Sequence, residues 1–302
     1  MVFMTIKLNK RTDADNEFLT MDRIVKIRST IEKHGEESFF ISFSGGKDST
    51  VLSHLVDLAI PDNHIPRVFA DTGIELNAIK EFVLNMQKVD PRMEIIKPSV
   101  NIRETLERDG YPFKSKEHSD ILSIYQRHGM TRASERYLWP DESRKSFGCP
   151  QKLKYQFSPD FKLKCSQKCC YNMKKKPIND YADRTGRHNM MIGILGDEKG
   201  GRSNAKCMVM KGKNLHFQPL TAVDSQWEEY FIEKEQIKLC KVYYEPYNFD
   251  RTGCKGCPYN IKLQQTLDVL EKYFPAERKQ CELIWAPVYE EYRRIGYRLR
   301  SN

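Results

Sequence analysis

The sequence predicts an α/β fold: a parallel twisted sheet with helices on both faces, followed by a helical C-terminal extension. Three observations predict it. Short, mostly apolar runs alternate with helix-like segments over the first hundred of the 302 residues. Two strands of one sheet joined through a helix make a right-handed crossover, which favours parallel strands covered on both faces. The last forty or so residues have a helical pattern rich in tyrosine, and this pattern predicts the C-terminal extension.

The individual elements follow from local patterns. Apolar residues recur at near-helical spacing between 19 and 31, and the pattern stops at the His34-Gly35 break. Four short apolar runs suit buried strands: 39–43, 67–70, 93–96 and 190–194. Helical patterns cover the segments 49–60, 75–89, 227–237, 262–273 and 281–295. Residues 101–157 are polar and mostly helical in pattern.

Composition restricts the class of protein. The 50 basic and 41 acidic residues give a net charge of +9, which suits nucleotides or nucleic acid, although an ordinary basic surface explains it equally well. No stretch approaches the roughly 18–20 apolar residues that span a bilayer, and residues 1–13 have no signal-peptide core. We therefore expect a cytoplasmic protein. Nine cysteines, none before Cys149, then indicate a metal or cluster site rather than disulfides.

A glycine loop between the first strand and the next helix carries the first chemical signal, Ser44-Gly45-Gly46-Lys47-Asp48-Ser49-Thr50. Two glycines let the backbone turn its N–H groups towards an anion, and the helix N-terminus adds partial positive charge. Lys47 can reach terminal phosphate oxygens, and Asp48 can hold Mg²⁺. The hydroxyls of Ser44, Ser49 and Thr50 can donate to phosphate. The alternative is a strand-to-helix turn with ordinary capping residues.

This loop resembles the Ser-Gly-Gly-x-Asp-Ser signature of the PP-loop ATP pyrophosphatases. The segment from Phe69 to Glu75 resembles the strand-end motif of the phosphoadenosine phosphosulfate (PAPS) reductase branch. The resemblance implies an adenine nucleotide alpha hydrolase-like domain over 1–260, with the C-terminal helical extension at 261–302. It also implies an adenine nucleotide site that includes Ser42, the loop, Asp71 and Thr72. Capping of the following helix is the alternative for Asp71 and Thr72.

The cysteines give the second signal. Cys169-Cys170 is followed about eighty residues later by Cys254-x-x-Cys257. This pattern resembles the adenylylsulfate (APS) reductases, and the resemblance implies a 4Fe–4S cluster on these four thiolates. Lys174 stands at that family's spacing and would lie beside the cluster and the nucleotide's anionic end, or on a solvated basic face. Structural zinc and unligated thiols are the alternatives.

The other cysteines have weaker assignments. Cys149 and Cys165 are substitute ligands for the cluster, because Cys165 stands four residues before Cys169. The remaining three are expected to pack as small hydrophobic residues: Cys207, Cys240 and Cys281. We expect the C-terminal helices, with Trp285 and several tyrosines, to cover the cluster region.

A third match connects the two halves of the chain. The segment from Gly193 to Arg202 resembles the family's strand and loop of the form Gly-x-Arg-x-x-Glu-Ser-x-x-Arg. The resemblance makes Gly193, Glu198 and Arg202 site residues, with Arg202 a planar donor to phosphate or sulfate. An ion pair on a surface loop is the alternative for Glu198 and Arg202.

Departures from the family indicate which substrate to expect. Sulfonucleotide reductases carry a catalytic cysteine near the C-terminus in Glu-Cys-Gly-x-His, whereas this chain has no cysteine after Cys281. Leu195 stands where the family has arginine, and the phosphate loop is complete where the reductases usually degrade it. We therefore expect an ATP-using enzyme that adenylates an acceptor, releases pyrophosphate and lets sulfur displace AMP. Lys47, Asp48, Lys174 and Arg202 are its expected catalytic residues, with Mg²⁺ and ATP bound.

Two other functions remain open from the sequence. One is APS or PAPS reduction, for which Cys281 is the last available nucleophile. The other is a nucleic-acid-binding part of a complex that modifies tRNA or DNA with sulfur, because lysines between 152 and 176 alternate with aromatic residues that include Phe157 and Tyr171. A sulfur-donor protein and a homodimer are expected by analogy alone. His118 is expected to be a helix cap or a surface group.

Overall fold

The computed structural model describes residues 11–142, 148–198 and 203–301. These residues form two compact units, each built from several stretches of chain. The first contains the chain up to Phe69, Glu81–Ile95 and Asp180–Tyr243. The second contains Ala70–Lys80, Ile96–Asn179 and the chain from Tyr244 onwards. The predicted domain boundary between 260 and 261 stays a prediction.

Helices and strands alternate through the first hundred residues, and most of the later elements are helical. In chain order they are α1 Asp13–His34, β1 Phe39–Phe43, α2 Lys47–Ala59, β2 Arg67–Ala70, α3 Asn77–Val89, β3 Met93–Ile96, α4 Ile102–Asp109, α5 Lys116–His128, α6 Arg132–Leu138, α7 Lys168–Cys170, α8 Lys176–Thr185, β4 Asn189–Met191, β5 Met208–Lys211, β6 Asn214–Phe217, α9 Ser225–Lys234, α10 Leu263–Tyr273 and α11 Pro275–Arg294. No helix among the described residues is long and apolar enough to cross a membrane.

The six strands form one sheet in the order β3-β2-β1-β4-β6-β5. Strands β2, β4 and β6 join the sheet in parallel, whereas β5 pairs antiparallel with β6 at the edge. This confirms the predicted α/β class with a mostly parallel sheet. The β5–β6 hairpin was not predicted. It turns at Gly212, whose φ of +62° favours glycine. The predicted strand at 190–194 ends at Met191, because the chain turns away at Gly193 to pack against α2.

The pleat of β1 explains why both faces of the sheet are covered. Phe39 and Ile41 point to one face, where α1, α2 and α9 form the main apolar core of the first unit. In that core the Trp227 ring stacks on Phe231 with ring centroids 4.8 Å apart. Phe40 points to the opposite face and meets Tyr181 of α8 edge-on, at 5.4 Å between ring centroids. The predicted helices on both faces are confirmed.

His118 of the second unit is a core residue, so the expectation of a surface histidine was wrong. The Ser115 side chain caps α5 and accepts from the His118 backbone N–H at 3.1 Å. The ring is fully buried between two partners: its Nδ1 lies 2.9 Å from the Tyr137 hydroxyl and its Nε2 lies 2.7 Å from Gln156 Oε1. Burial lowers the pKa of His118 to about 4.

This buried histidine predicts acid destabilisation. Between about pH 6.5 and pH 4 the unfolded chain binds a proton at His118 that the folded chain does not, so stability falls as pH falls through that window. The expected loss by about pH 4.5 is roughly 2–3 kcal/mol in the free energy of unfolding. Urea unfolding at about pH 7.5 and about pH 4.5 measures it. His118→Gln should reduce the difference by that amount. His64→Gln, at a side chain 90% exposed, should leave it unchanged.

Candidate functional site

The phosphate loop opens α2 in the first unit. Gly45 has φ +69°, a conformation that glycine permits at little cost, and Gly46 is the helix N-cap without a side-chain cap. The Gly46 N–H donates to Ser44 Oγ at 3.2 Å, and the hydroxyls of Ser49 and Thr50 donate to the Gly46 carbonyl at 2.9 Å each. The two buried hydroxyls thus hold the loop's shape. Backbone N–H groups at the start of α2 and Lys47 remain the groups best placed to bind phosphate.

Glu228 of α9 fixes the loop lysine. Its carboxylate is fully buried and lies 2.9 Å from the Lys47 ammonium. Lys47 and Asp48 both interact with this carboxylate. Burial and the neighbouring Asp48 raise the pKa of Glu228 to about 7, because together they outweigh the attraction of Lys47. The Lys47 backbone N–H donates to the Tyr243 hydroxyl at 3.1 Å, which fixes the loop from a second direction.

Gly193, predicted as a site residue, lies against the start of α2. A Cβ atom at this position would stand 2.5 Å from the Asp48 carbonyl oxygen and 2.7 Å from its carbonyl carbon. Both are backbone atoms and cannot move aside without shifting the phosphate loop. The segment after β4 therefore packs directly against the backbone of the phosphate loop. Only glycine, which has no Cβ atom, allows the two backbones to approach so closely.

Gly193→Ala should consequently disturb the phosphate loop. We expect a loss of roughly 1–3 kcal/mol in the free energy of unfolding, typical of overpacking, together with weaker ATP binding. Urea unfolding and isothermal titration with ATP measure the two effects. Gly253→Ala is the matched control, because a Cβ atom there meets nothing within 4 Å. Equal behaviour of the two variants would contradict the close packing at Gly193.

The turn after β2 brings Asp71, Thr72 and Glu75 together in the second unit. The Thr72 hydroxyl donates to Glu75 Oε1 at 2.6 Å, and the Thr72 backbone N–H donates to Glu75 Oε2 at 3.1 Å. Asp71 accepts from the Gly73 N–H at 3.1 Å and pairs with Lys80 at 2.8 Å. These bonds lie within the turn and do not cap the following helix, which begins at Asn77, so they do not correspond to the capping alternative. A nucleotide-binding role for Asp71 and Thr72 stays a prediction.

Glu75 connects this turn to the cysteine region of the same unit. It forms a backbone bridge with Cys254, and its carboxylate lies 3.7 Å from the Lys174 ammonium. The thiol of Cys254 is the main cause of a raised pKa at Lys174, and Glu75 adds to it. Lys174 therefore stays cationic beside the cysteines, with its side chain 41% exposed, and its predicted role at the site stays a prediction.

Cys169 and Cys170 lie at the end of the short helix α7. The chain then continues as a π-helical turn, Tyr171–Lys175, a geometry that is rare and often marks functional sites. Cys169 is buried, whereas Cys170 is half-buried. A hydrogen bond from Cys169 and nearby lysines, among them Lys116 and Lys174, lower the pKa of Cys170 to about 6. The paired cysteines thus present one thiolate in a basic environment.

Helix α11 holds the loop that carries Cys254 and Cys257. Trp285 Nε1 donates to the Lys255 carbonyl at 2.9 Å, and the Tyr292 hydroxyl donates to the Pro258 carbonyl at 3.0 Å. The Tyr289 hydroxyl donates to the carbonyl of Gly256, which has φ +60°. The predicted role of the C-terminal helices in covering this loop is confirmed for α11.

The four predicted ligands share one electrostatic environment. Burial raises the pKa of Cys257, and the thiols of Cys254 and Cys170 raise it further. A hydrogen bond with Cys170 and burial raise the pKa of Cys169, and the thiols of Cys257 and Cys254 raise it further. The pKa of Cys165 is raised by burial and Glu291, and burial raises that of Cys149 to about 11. The four predicted ligands therefore influence one another, and their role as cluster ligands stays a prediction.

Tyr259 supplies an independent test of whether a cluster fits here. Its buried hydroxyl forms no hydrogen bond of good geometry with a described residue, although Ser119 interacts with it and lowers its pKa. Burial raises the pKa of this phenol, and the thiols of Cys169, Cys170 and Cys257 raise it further. A buried hydroxyl without a hydrogen bond of good geometry is costly, so the site suits a group that accepts a hydrogen bond. The sulfurs of an iron–sulfur cluster are such acceptors.

The donor set also bears on the choice of group. Within the described residues, no three or more His, Cys, Asp or Glu side chains form a group that could hold a metal ion. Four thiols are the ligand number of a cubane cluster, and the same number suits structural zinc. The type and number of the thiols fit the cluster, and zinc stays the alternative.

Three other residues were predicted to belong to the nucleotide site: Ser42, Glu198 and Arg202. Ser42 is half-buried in β1. Glu198 is half-buried in the loop after β4, where its backbone N–H reaches the Leu195 carbonyl at 3.4 Å. Arg202 lies outside the described residues, so its predicted role is not tested.

Sequence reasoning missed four residues of these sites: Glu75, Glu228, Tyr243 and Tyr259. Only Glu75 had a signal, because it closes the Phe69–Glu75 motif. The others depend on burial and on which distant segments pack together, and no local spacing reports either property.

Comparison with known proteins decides the family. The sequence matches the model of the phosphoadenosine phosphosulfate reductase domain over residues 38–140 and 140–260. The chain belongs to this family. The matched segments of this PAPS reductase family member include the phosphate loop, the turn after β2 and all four predicted cluster ligands.

Individual relatives are distant. The uncharacterized protein MJ0973 of Methanocaldococcus jannaschii is 34% identical over 124 residues, which are 37% of this chain and 29% of that protein. The chain therefore spans less than a third of that relative's length. The PAPS reductase of Candida auris aligns at 12% identity and TM-score 0.43, over 77% of this chain and 91% of its own. The U34-tRNA thiolase NcsA of Methanococcus maripaludis, with its 4Fe–4S cluster, aligns at 14% identity and TM-score 0.38, over 90% and 80%. These structural likenesses concern the fold alone.

Proposed function

We propose that this protein uses ATP to activate an acceptor oxygen and then replaces that oxygen with sulfur, releasing AMP and pyrophosphate. The observation that carries the proposal is the complete phosphate loop whose Lys47 ammonium is held 2.9 Å from the fully buried Glu228. Burying a carboxylate to position a cation has a desolvation cost. A cation positioned at this cost has a use if Lys47 binds the β- and γ-phosphates. ATP has these phosphates, whereas the sulfonucleotides lack them.

The reaction balances without a redox step. The acceptor oxygen attacks the α-phosphorus, and the bond from that phosphorus to the bridging oxygen breaks, so that pyrophosphate leaves with the electron pair. A sulfur donor at the oxidation level of sulfide then attacks the acceptor carbon. The carbon–oxygen bond breaks and AMP leaves. ATP and such a sulfur donor are the only co-reactants required.

Residues of the phosphate loop contribute by positioning and by neutralising charge. Lys47 and the N–H groups at the start of α2 would bind the terminal phosphates, and Asp48 would hold Mg²⁺, which supplies charge neutralisation at the phosphates. Such preorganised groups stabilise the charge that develops on the leaving pyrophosphate. Glu228 positions Lys47, and Gly193 supports the loop backbone. Arg202 and Glu198 retain their predicted roles in nucleotide binding.

The cysteine region prepares a second site on the same chain. Cys169, Cys170, Cys254 and Cys257 would hold a 4Fe–4S cluster, which when bound supplies a centre able to bind sulfide or to transfer electrons. Lys174 balances thiolate charge and is itself held by Glu75. The Tyr259 hydroxyl would be available to donate a hydrogen bond to such a group, and α11 holds the Cys254–Cys257 loop through Trp285.

Burial of Cys281 weakens the reductase alternative. Its side chain is fully buried in α11, and burial raises the pKa of the thiol to about 12. A nucleophilic cysteine requires access to its substrate and an ionisable thiol. Cys281 has neither property.

Product analysis tests the proposed use of ATP. Protein purified without oxygen is incubated with ATP and Mg²⁺, and the nucleotides are separated by chromatography. We expect AMP and pyrophosphate in equal amounts, because cleavage takes place between the α- and β-phosphates. Formation of ADP and inorganic phosphate instead would mean transfer of the terminal phosphoryl group, and would contradict the proposal.

A further inference from the structure

A basic cleft lies in the second unit, next to the paired cysteines. It has a volume of about 580 Å³ and is lined by the end of α4, one face of α5 and the segment from Ser166 to Lys175. An adjoining cavity of about 470 Å³ shares several lining residues with it, among them Arg108, Arg127 and Lys168. Seven basic and two acidic side chains line the two cavities. We refer to both together as the basic cleft.

The positive charge of the cleft is not neutralised from within. Of the two acidic side chains, Asp109 is already paired with Arg108 at 2.6 Å and with Lys168 at 3.5 Å. Lys116, Arg127 and Lys175 are exposed, and none of them forms an ion pair with a residue that the structure describes. Their cations are spread along the cleft. A spread charge suits a chain of phosphates better than one small anion.

Aromatic side chains stand among these cations. Tyr171 is 50% exposed and lines the cleft, and Phe161 lines the adjoining cavity. No leucine, isoleucine, valine or methionine lines either cavity. The core of a protein–protein interface is usually apolar, so this surface does not resemble one. Positive charge along a groove with exposed aromatic rings is the arrangement that binds single-stranded nucleic acid.

Cys170 lines the same cleft, and it is one of the three half-buried members of the four predicted cluster ligands. We propose that the basic cleft binds a single-stranded segment of nucleic acid, with its phosphates on Lys116, Arg127 and Lys175, a base stacked on Tyr171 and the neighbouring base facing Cys170. This inference rests on the proposed function and narrows its acceptor to a nucleobase. Phe157 takes no part, because it is 8% exposed and packs on His118.

Binding measurements on the full chain test the cleft without ATP. Fluorescence anisotropy follows a labelled RNA of about twelve nucleotides, the DNA of the same sequence and a polyglutamate peptide over a range of salt concentrations. The variants are Lys116→Ala with Arg127→Ala, and Tyr171→Ala. Lys33→Ala with Lys238→Ala is the matched control, because both lysines are exposed in the first unit. Thermal unfolding checks that each variant is folded.

Each variant has its own expected signature. Loss of two phosphate contacts should lower the slope of log Kd against log salt by about 1.4, since each contact contributes about 0.7 on single strands. Tyr171→Ala should weaken binding by at least about fivefold and leave the slope unchanged, because stacking carries no counterion release. The control pair should bind like the unmodified protein. Tighter binding of the RNA or of the DNA identifies which of them is the source of the acceptor.

Any of three results would contradict the proposal that the basic cleft binds nucleic acid: no binding of either strand, equal binding by all variants, or polyglutamate bound as tightly as the oligonucleotides. The two proposals fail separately. If the variants behave as expected but ATP yields no AMP and pyrophosphate, nucleic-acid binding by the cleft is supported and the proposed reaction is contradicted. If ATP is cleaved but the variants bind like the unmodified protein, only the cleft assignment falls.

Discussion

Lys47→Ala should lower pyrophosphate formation from ATP by about 10²–10³-fold. The ammonium belongs to the first residue of α2, directly after the loop glycines, and loss of one preorganised donor to a developing charge has an effect of this size. The backbone of the loop does not depend on the side chain, because its shape is held by Ser44, Ser49 and Thr50. Initial rates of pyrophosphate release at saturating ATP measure the effect.

The variant needs a structural control, because removal of Lys47 leaves the buried Glu228 carboxylate without its partner. An unpaired buried charge is strongly destabilising. The double variant Lys47→Ala with Glu228→Gln removes that charge, so it should regain the stability that Lys47→Ala loses and stay inactive. Lys33→Ala, an exposed lysine of α1, should have normal activity. Recovery of activity in the double variant would show that Lys47 matters only for stability, and would contradict its role at the phosphates.

Serine substitution at Cys170, Cys254 or Cys257 should remove most of the bound iron and sulfide. Each of the four thiolates binds one iron of a cubane, so a single loss opens a corner of the cluster. The unmodified protein, purified without oxygen, should contain about four irons and about four sulfides per chain. Elemental analysis for iron and zinc, an acid-labile sulfide assay and electron paramagnetic resonance of the reduced protein measure the content.

Two control variants distinguish the cluster ligands from cysteines that do not bind the cluster. Cys207→Ser, at a half-buried cysteine of the first unit, should keep full iron content. Cys165→Ser should keep it as well, because that thiol is influenced by burial and Glu291. About one zinc per chain without sulfide would establish the structural zinc alternative. Iron loss in Cys165→Ser, with retention in Cys170→Ser, would show that the cluster uses a different ligand.

The regular part of the fold was predictable from local patterns. Strands β1, β2 and β3 each correspond to a short apolar run, and the turn or helix after each has its own signal. The β5–β6 hairpin was missed although Met208, Val209 and Met210 form a short apolar run. Its two strands have four residues each, and Met208 and Met210 face solvent together with Lys211, so their apolar character does not mark a buried strand.

The sites were predictable only to the extent that they follow short motifs. Glycine spacing located the phosphate loop, and cysteine spacing located the four thiols that share one environment. Glu228 was not predictable, because it is one of two adjacent glutamates in an amphipathic helix and sequence does not tell which of them is buried. Burial also decided the status of Cys281 and His118, and burial depends on packing between distant segments.

The central claim is that this PAPS reductase family member acts on ATP and not on a sulfonucleotide. The most direct measurement incubates protein of verified iron and sulfide content with Mg²⁺ and a reductant, with either ATP or APS as substrate. Pyrophosphate and sulfite are quantified separately. The account predicts pyrophosphate from ATP, lost in Lys47→Ala, and no sulfite from APS. Sulfite from APS without turnover of ATP would contradict it, and would require a nucleophilic thiol other than the buried Cys281.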